Sequence, residues 1–100
     1  SGLARGVDGI GQRGALLGGG KTFAVLGSGV DVCYPKNHMG LYLDILEQEG
    51  GILSELPPGT PPLPQHFPRR NRIISALSDI VLVMEARERS GSLRTADLAL

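Results

Sequence analysis

The residues most able to do chemistry lie in one segment, Phe67-Pro68-Arg69-Arg70-Asn71-Arg72-Ile73-Ile74. Arginines packed this closely favour forked contacts to phosphate or carboxylate. Pro68 suits a first helical turn. On a helix Arg70 shares the inward face of Ile73 and Ile74, three and four positions on. A guanidinium on that face needs a partner. Either a carboxylate such as Glu55 or Glu85 clamps the helix to a sheet, or at least one of Arg69, Arg70 and Arg72 faces a phosphate. With three arginines both can hold.

Other segments could meet an anion. Gly27-Ser28-Gly29 follows a buried apolar run, and glycines let backbone N–H groups approach a phosphate. The third glycine of a dinucleotide fingerprint is replaced by Val32, so a plain turn competes with a phosphate site. Ser90-Gly91-Ser92 with Thr95 reads as a helix start, either an ordinary cap or an anion site. Gly20-Lys21-Thr22 mimics the end of a nucleotide-binding P-loop. Ala15 stands where the first glycine should, and the segment opens a strand instead of a helix. His38 and His66 have no metal-ligand neighbours at useful spacing and read as surface residues. Cys33 lacks a CxxC partner and reads as structural. No nucleophile–base pair emerges, and Ser54 beside Glu55 reads as a strand end. No catalytic residue, metal or cofactor is expected.

The elements that would position these groups alternate. Asp8 to Leu17 is expected to be helical with Asp8 as its cap, stopped by Gly18-Gly19-Gly20. Thr22 to Leu26 is an unbroken apolar run, the pattern of a strand buried on both faces. Leu41 to Leu46 marks a second helix ended by Gly50-Gly51, and Ile52 to Glu55 a short strand. Pro57 to Pro68 holds all but one of the seven prolines and reads as an irregular loop. The arginine helix follows. Ile80 to Met84 reads as the clearest strand, and Ser90 opens a last helix. The order αβαβαβα implies a parallel sheet with helical crossovers. Ligands in such sheets bind outside the carboxyl ends of the strands. Those ends hold Ser1 to Gly6, Gly27 to Gly29, Ser54-Glu55 and Glu85 to Ser92.

Bulk properties fit one small globular unit. With 100 residues, 41% hydrophobic and 20% charged, the chain is at most one domain. Net charge is zero, so no whole-chain basic excess signals nucleic acid, although a local basic pocket stays open. The single cysteine excludes an internal disulfide and suits a reduced cytoplasm. No stretch approaches a membrane span and no signal peptide is visible. Starting on what reads as a strand end and stopping inside a helical pattern, the chain reads as a fragment of a longer protein.

Taken together, the motifs form a series. Ser1-Gly2-Leu3-Ala4-Arg5-Gly6-Val7-Asp8, Arg13 to Leu16, Thr22 to Gly29 with Asp31, Tyr34-Pro35, Ser54-Glu55, Phe67 to Ile74, Glu85, and Ser90-Gly91-Ser92-Leu93 with Thr95 follow one another. In that order they resemble the DNA processing protein A (DprA/Smf) family. The resemblance covers the whole chain. It implies an α/β three-layer Rossmann-like fold with a parallel β-sheet (SLOG-like), here a fragment lacking its first and last strands. It also implies single-stranded DNA binding in natural transformation, competence and recombination, DNA protection, loading of the RecA recombinase, a homodimer, and no catalytic activity. On this chain it points to a pocket of Arg5, Lys21 or Lys36, and Arg69, Arg70, Asn71 and Arg72. Gly27, Ser28 and Gly29 would be backbone donors, Ser90 and Ser92 further contacts. Val30, Tyr34 and Phe67 would meet bases, the last two by stacking. The family commonly has His where this chain has Gln12.

Two other readings compete. A nucleotide-processing N-glycoside hydrolase of a related Rossmann-like family would carry a PGGxGTxxE-type motif. Pro58-Gly59-Thr60 echoes it only superficially. A purely structural or protein-partner domain could use the proline loop. The Arg-Asn-Arg-Ile-Ile block favours DNA over both.

Overall fold

A computed structural model describes residues 1–83 of the chain. Five elements order as α1 (Val7–Leu17), β1 (Phe23–Val25), α2 (Met39–Glu47), β2 (Gly51–Leu53) and α3 (His66–Leu77), with a 3-10 turn at Lys36–His38 before α2. β1 and β2 pair in parallel, Ala24 opposite Ile52. Leu26 N donates to Leu53 O at 2.8 Å and lengthens that ladder by a rung. On the other edge of β1, the Ser1 amine donates to Phe23 O and Ser1 O accepts from Val25 N. Ser1 thus runs beside β1 in the parallel sense for a single rung, next to the two-stranded sheet.

Alternation along β1 sorts the layers. Ala24 and Leu26 face a core of Leu3, Leu16, Cys33, Leu41 and Ile45, which brings α1 and α2 to one side. The Arg13–Asp44 ion pair at 2.6 Å ties those two helices together. Val25 and Leu53 face the other way, toward Ile74 and Leu77 of α3, across a gap of about 520 Å³. Helices on both faces of a parallel sheet are the three-layer α/β arrangement expected.

Both crossover helices end in a Schellman turn. After α1, Gly20 N donates to Ala15 O and Gly19 N to Leu16 O, with Gly19 at φ 81. After α2, Gly50 N donates to Ile45 O and Glu49 N to Leu46 O. The left-handed residue there is Glu49, φ 66, one position before the expected stop. Gly50 is needed for a different reason. A Cβ there would lie 2.0 Å from Thr22 O and 2.8 Å from Ile45 O, so only glycine lets the chain pass against β1.

Two expectations are corrected. Asp8 does not cap α1. Gly6 precedes the helix without a side-chain cap, and Asp8 sits in the first turn, accepting from Gly2 N at 3.2 Å. Ile80 to Val83 forms no strand; Ile80 is 85% and Leu82 77% exposed. A parallel strand holds only through its ladder, and no described strand borders this stretch. Met84 and the helix expected from Ser90 lie outside the described residues. No helix among the described residues is long and apolar enough to cross a membrane.

Candidate functional site

The site begins where two strands part. Residues 1–3 pair with β1 for one rung around Ala24. The next rung would join Leu3 N to Val25 O. Instead Leu3 turns into the left-handed region at φ 59 and its side chain is buried. Leu3 N donates to Gln12 Oε1 at 3.0 Å, and Leu3 O accepts from His38 Nδ1 at 2.8 Å. That contact requires the proton on Nδ1. Gln12 Nε2 donates to Phe23 O and Thr22 Oγ1, so its amide bridges the parted strands as a peptide would.

Arg70 fills the fork. Its Nη1 donates to Gly2 O at 3.1 Å and Val25 O at 2.8 Å, and its Nε to Asn71 Oδ1 at 3.1 Å. Only 5% of the residue is exposed. A Cβ on Gly2 would lie 2.5 Å from Nη1, so the guanidinium rests directly on that backbone. Burial pushes the Arg70 pKa down, and nearby Asp8 pulls it back up. The inward face expected for Arg70 is observed, but its partners are two main-chain carbonyls and the Asn71 side chain, not Glu55. Glu55 pairs with Arg72 instead. Glu85 lies outside the described residues.

Phe67, one turn earlier on α3, packs its ring on Gly27. A Cβ there would come within 2.8 Å of Cδ1. The Arg70 guanidinium lies 5.4 Å from the same ring centre, a favourable placement of a cation. Tyr34 lies 5.9 Å from Phe67, tilted by 44°, and keeps 42% of its surface exposed. Tyr34 and Phe67, for which the resemblance implies base contacts, are therefore brought together.

The Gly27-Ser28-Gly29 turn is buried and strapped by the proline loop. Gly29 N donates to Thr60 O at 3.0 Å, and a Cβ on Gly29 would lie 2.7 Å from Pro57 O. Ser28 Oγ donates to Val32 O, and Ser54 Oγ donates to Ser28 O. Asp31 accepts from Gly59 N at 2.7 Å, which also fixes Pro58-Gly59-Thr60 inside the strap. His66 Nδ1 lies 3.2 Å from Gly27 O and 3.1 Å from Pro61 O. The Gly29 N–H and the Ser28 hydroxyl are thus already engaged within the protein.

The remaining cations divide by position. Arg5 lies two positions after Leu3, Lys36 opens the turn that ends in His38, and Arg69 adjoins Arg70. All three are exposed at the carboxyl end of the sheet, and none makes an ion pair among the described residues. Val30 is also exposed there, its carbonyl accepting from Tyr42 Oη at 2.6 Å. Lys21 precedes β1 and so lies at the opposite, amino end, 3.3 Å from Glu49. Arg72 is engaged by Glu55. Ser90 and Ser92 lie outside the described residues. The histidines are not plain surface residues: both are half-buried and bonded to carbonyls. Cys33 is buried, and burial raises its thiol pKa.

Known proteins carry the same arrangement of sequence. The chain is 54% identical over 100 residues to Protein Smf of Escherichia coli K12, all of this chain against 27% of that protein. It is 50% identical to DNA processing protein DprA of Streptococcus pneumoniae, covering 35% of it. It is 44% identical to DNA processing protein DprA of Bacillus subtilis, covering 33%. The X-ray structure of DNA processing protein A from Streptococcus pneumoniae superposes with a TM-score of 0.87 at 48% identity, over 98% of this chain and 34% of that one. The chain therefore spans between about a quarter and about a third of the length of these relatives. Residues 1–100 match the family described as DNA recombination-mediator protein A. With the fold, the strand-end loops and the arginine helix all in place, this chain belongs to the DNA recombination-mediator protein A family, the DprA/Smf proteins of DNA processing and recombination.

Proposed function

We propose that this chain binds single-stranded DNA at the carboxyl end of its sheet, with no preference for sequence and no catalysis. The observation that supports the reading is one juxtaposition. Arg5, Lys36 and Arg69 are exposed without ion partners among the described residues, at the same end as the Tyr34–Phe67 pair. Phosphates would meet the cations while a base lies on the exposed Tyr34 ring. Charge plus stacking is the usual physics of single-strand grooves. A net charge of zero suits a local pocket better than a long electropositive track. Protection of incoming DNA in transformation, RecA as a partner, a homodimeric protein and a cytoplasmic location belong to the same proposal and rest on the family resemblance.

The test is an anisotropy titration of labelled oligo-dT, single- and double-stranded, across a range of salt. Three phosphate contacts give a log–log salt slope near −2, at about −0.7 per contact on a single strand. Arg69→Ala weakens binding and flattens the slope by about 0.7. Lys21→Ala, at the far end of the sheet, leaves both unchanged. No preference for the single strand, or a larger effect from Lys21 than from Arg69, overturns the reading.

A further inference from the structure

We infer that Arg70 is a positioning residue for base stacking and does not itself contact phosphate; the inference rests on the single-strand reading above. Of the three helix arginines it has the strongest appearance of a ligand, being inward and at the strand ends. The geometry assigns it otherwise. Its Nη1 is shared between Gly2 O and Val25 O, and its Nε is held by Asn71. What it offers the site is its cationic face, 5.4 Å from the Phe67 ring centre. Phe67 is thereby held between that cation and the Gly27 backbone. Tyr34 leans on Phe67 with its own ring substantially exposed.

The chain of contact runs from the strand fork through Arg70, Phe67 and Tyr34 to the place of a base. Arg69, exposed and without an ion partner among the described residues, is left for the phosphate. Neighbouring arginines thus split two jobs: one carries the salt dependence, the other the contribution of the bases. A lysine at position 70 keeps the charge but has one nitrogen where the guanidinium fork has three. It cannot bind Gly2 O, Val25 O and Asn71 while presenting a flat face to Phe67.

The experiment compares oligo-dT with an abasic oligomer of equal length, each titrated across salt, for the unaltered protein, Arg70→Lys, Gly2→Ala and Arg69→Ala. Gly2→Ala keeps every charge and displaces the Arg70 guanidinium, since its Cβ would sit 2.5 Å from Nη1. Stacking of one base gives the unaltered protein a preference for dT over abasic strand of about tenfold. Arg70→Lys and Gly2→Ala collapse that ratio toward one with salt slopes unchanged. Arg69→Ala keeps the ratio and lowers the slope. A fraction of unfolded protein would weaken both strands equally and leave the ratio alone, so the readout separates positioning from stability. If either variant at the fork lowers the slope and preserves the ratio, Arg70 touches phosphate and the inference fails while single-strand binding stands. If the unaltered protein binds neither strand, both fail together.

Discussion

Replacing Gln12 with leucine tests whether a side-chain amide truly stands in for the missing rung of the sheet. Gln12 is 3% exposed and joins three groups of the parted strands. They do not suffer equally when the amide is lost. Phe23 O keeps the Ser1 amine, and Thr22 is half-exposed, so water replaces its partner. Leu3 N has no such recourse, because Leu3 is fully buried. Orphaning a buried amide costs about 1–3 kcal/mol, and a lost ordinary hydrogen bond adds about 1 kcal/mol. The burial of a leucine returns roughly 1 kcal/mol. The net loss is about 2 kcal/mol, a large share of the stability of a small domain. Urea denaturation followed by circular dichroism reads this as a fall in midpoint of about 1 M at constant slope. Gln12→His, whose ring nitrogen can still accept from Leu3 N, costs less than about 1 kcal/mol. A Gln12→Leu protein within about 0.5 kcal/mol of the unaltered one, or a histidine as damaging as leucine, refutes the bridging role.

Other outcomes follow from the same contacts. Gly50→Ala drives a Cβ to 2.0 Å from Thr22 O and costs more than about 3 kcal/mol, whereas Gly14→Ala, with nothing within 4 Å on α1, gains about 0.5–1 kcal/mol; urea midpoints distinguish them. Glu49→Gly relieves a left-handed non-glycine residue and raises stability by about 1 kcal/mol in the same assay, since its surface pair with Lys21 contributes little. Burial holds the Cys33 thiol above its ordinary value of 9.0. The unfolded chain therefore ionises first, so this contribution is intact below pH 9 and is lost as pH climbs toward the folded value. Melting curves between pH 8 and 10.5 show the steeper alkaline decline in the unaltered protein and a shallower one in Cys33→Ala.

How far the sequence foretold this depends on the range of the contacts. The strand from Thr22 to Leu26 was legible because Ala24, Val25 and Leu26 are buried in succession on its two faces, leaving no polar alternation. The inward face of Arg70 was legible from helical spacing. Its partners were not: the acceptors are carbonyls released where two strands part, and nothing local in the sequence marks that parting. Lys21 attracted attention through Gly20-Lys21-Thr22. Strand polarity alone places it at the amino end, since it precedes β1. The glycine turn was legible as a turn, but its covering came from prolines some thirty positions on. Gln12 carried one local signal, a polar residue one turn before Leu16 on the buried face of α1. Ile80 to Val83 has the composition of a buried strand, yet composition cannot supply the neighbour a ladder requires.

The binding of residues 2–4 has a kinetic consequence. Gly2 N is held by Asp8, Gly2 O by Arg70, Leu3 N by Gln12, Leu3 O by His38 and Ala4 O by Gly9 N. Those partners come from α1, the turn before α2, and α3, so the segment cannot order until the others have assembled. Its opening is therefore coupled to the parting of those elements. The Leu3 amide, although it lies outside the regular helices and strands, should therefore exchange its proton for deuterium as slowly as the core of β1. A protease probing residues 2–4 would sense the intactness of α3.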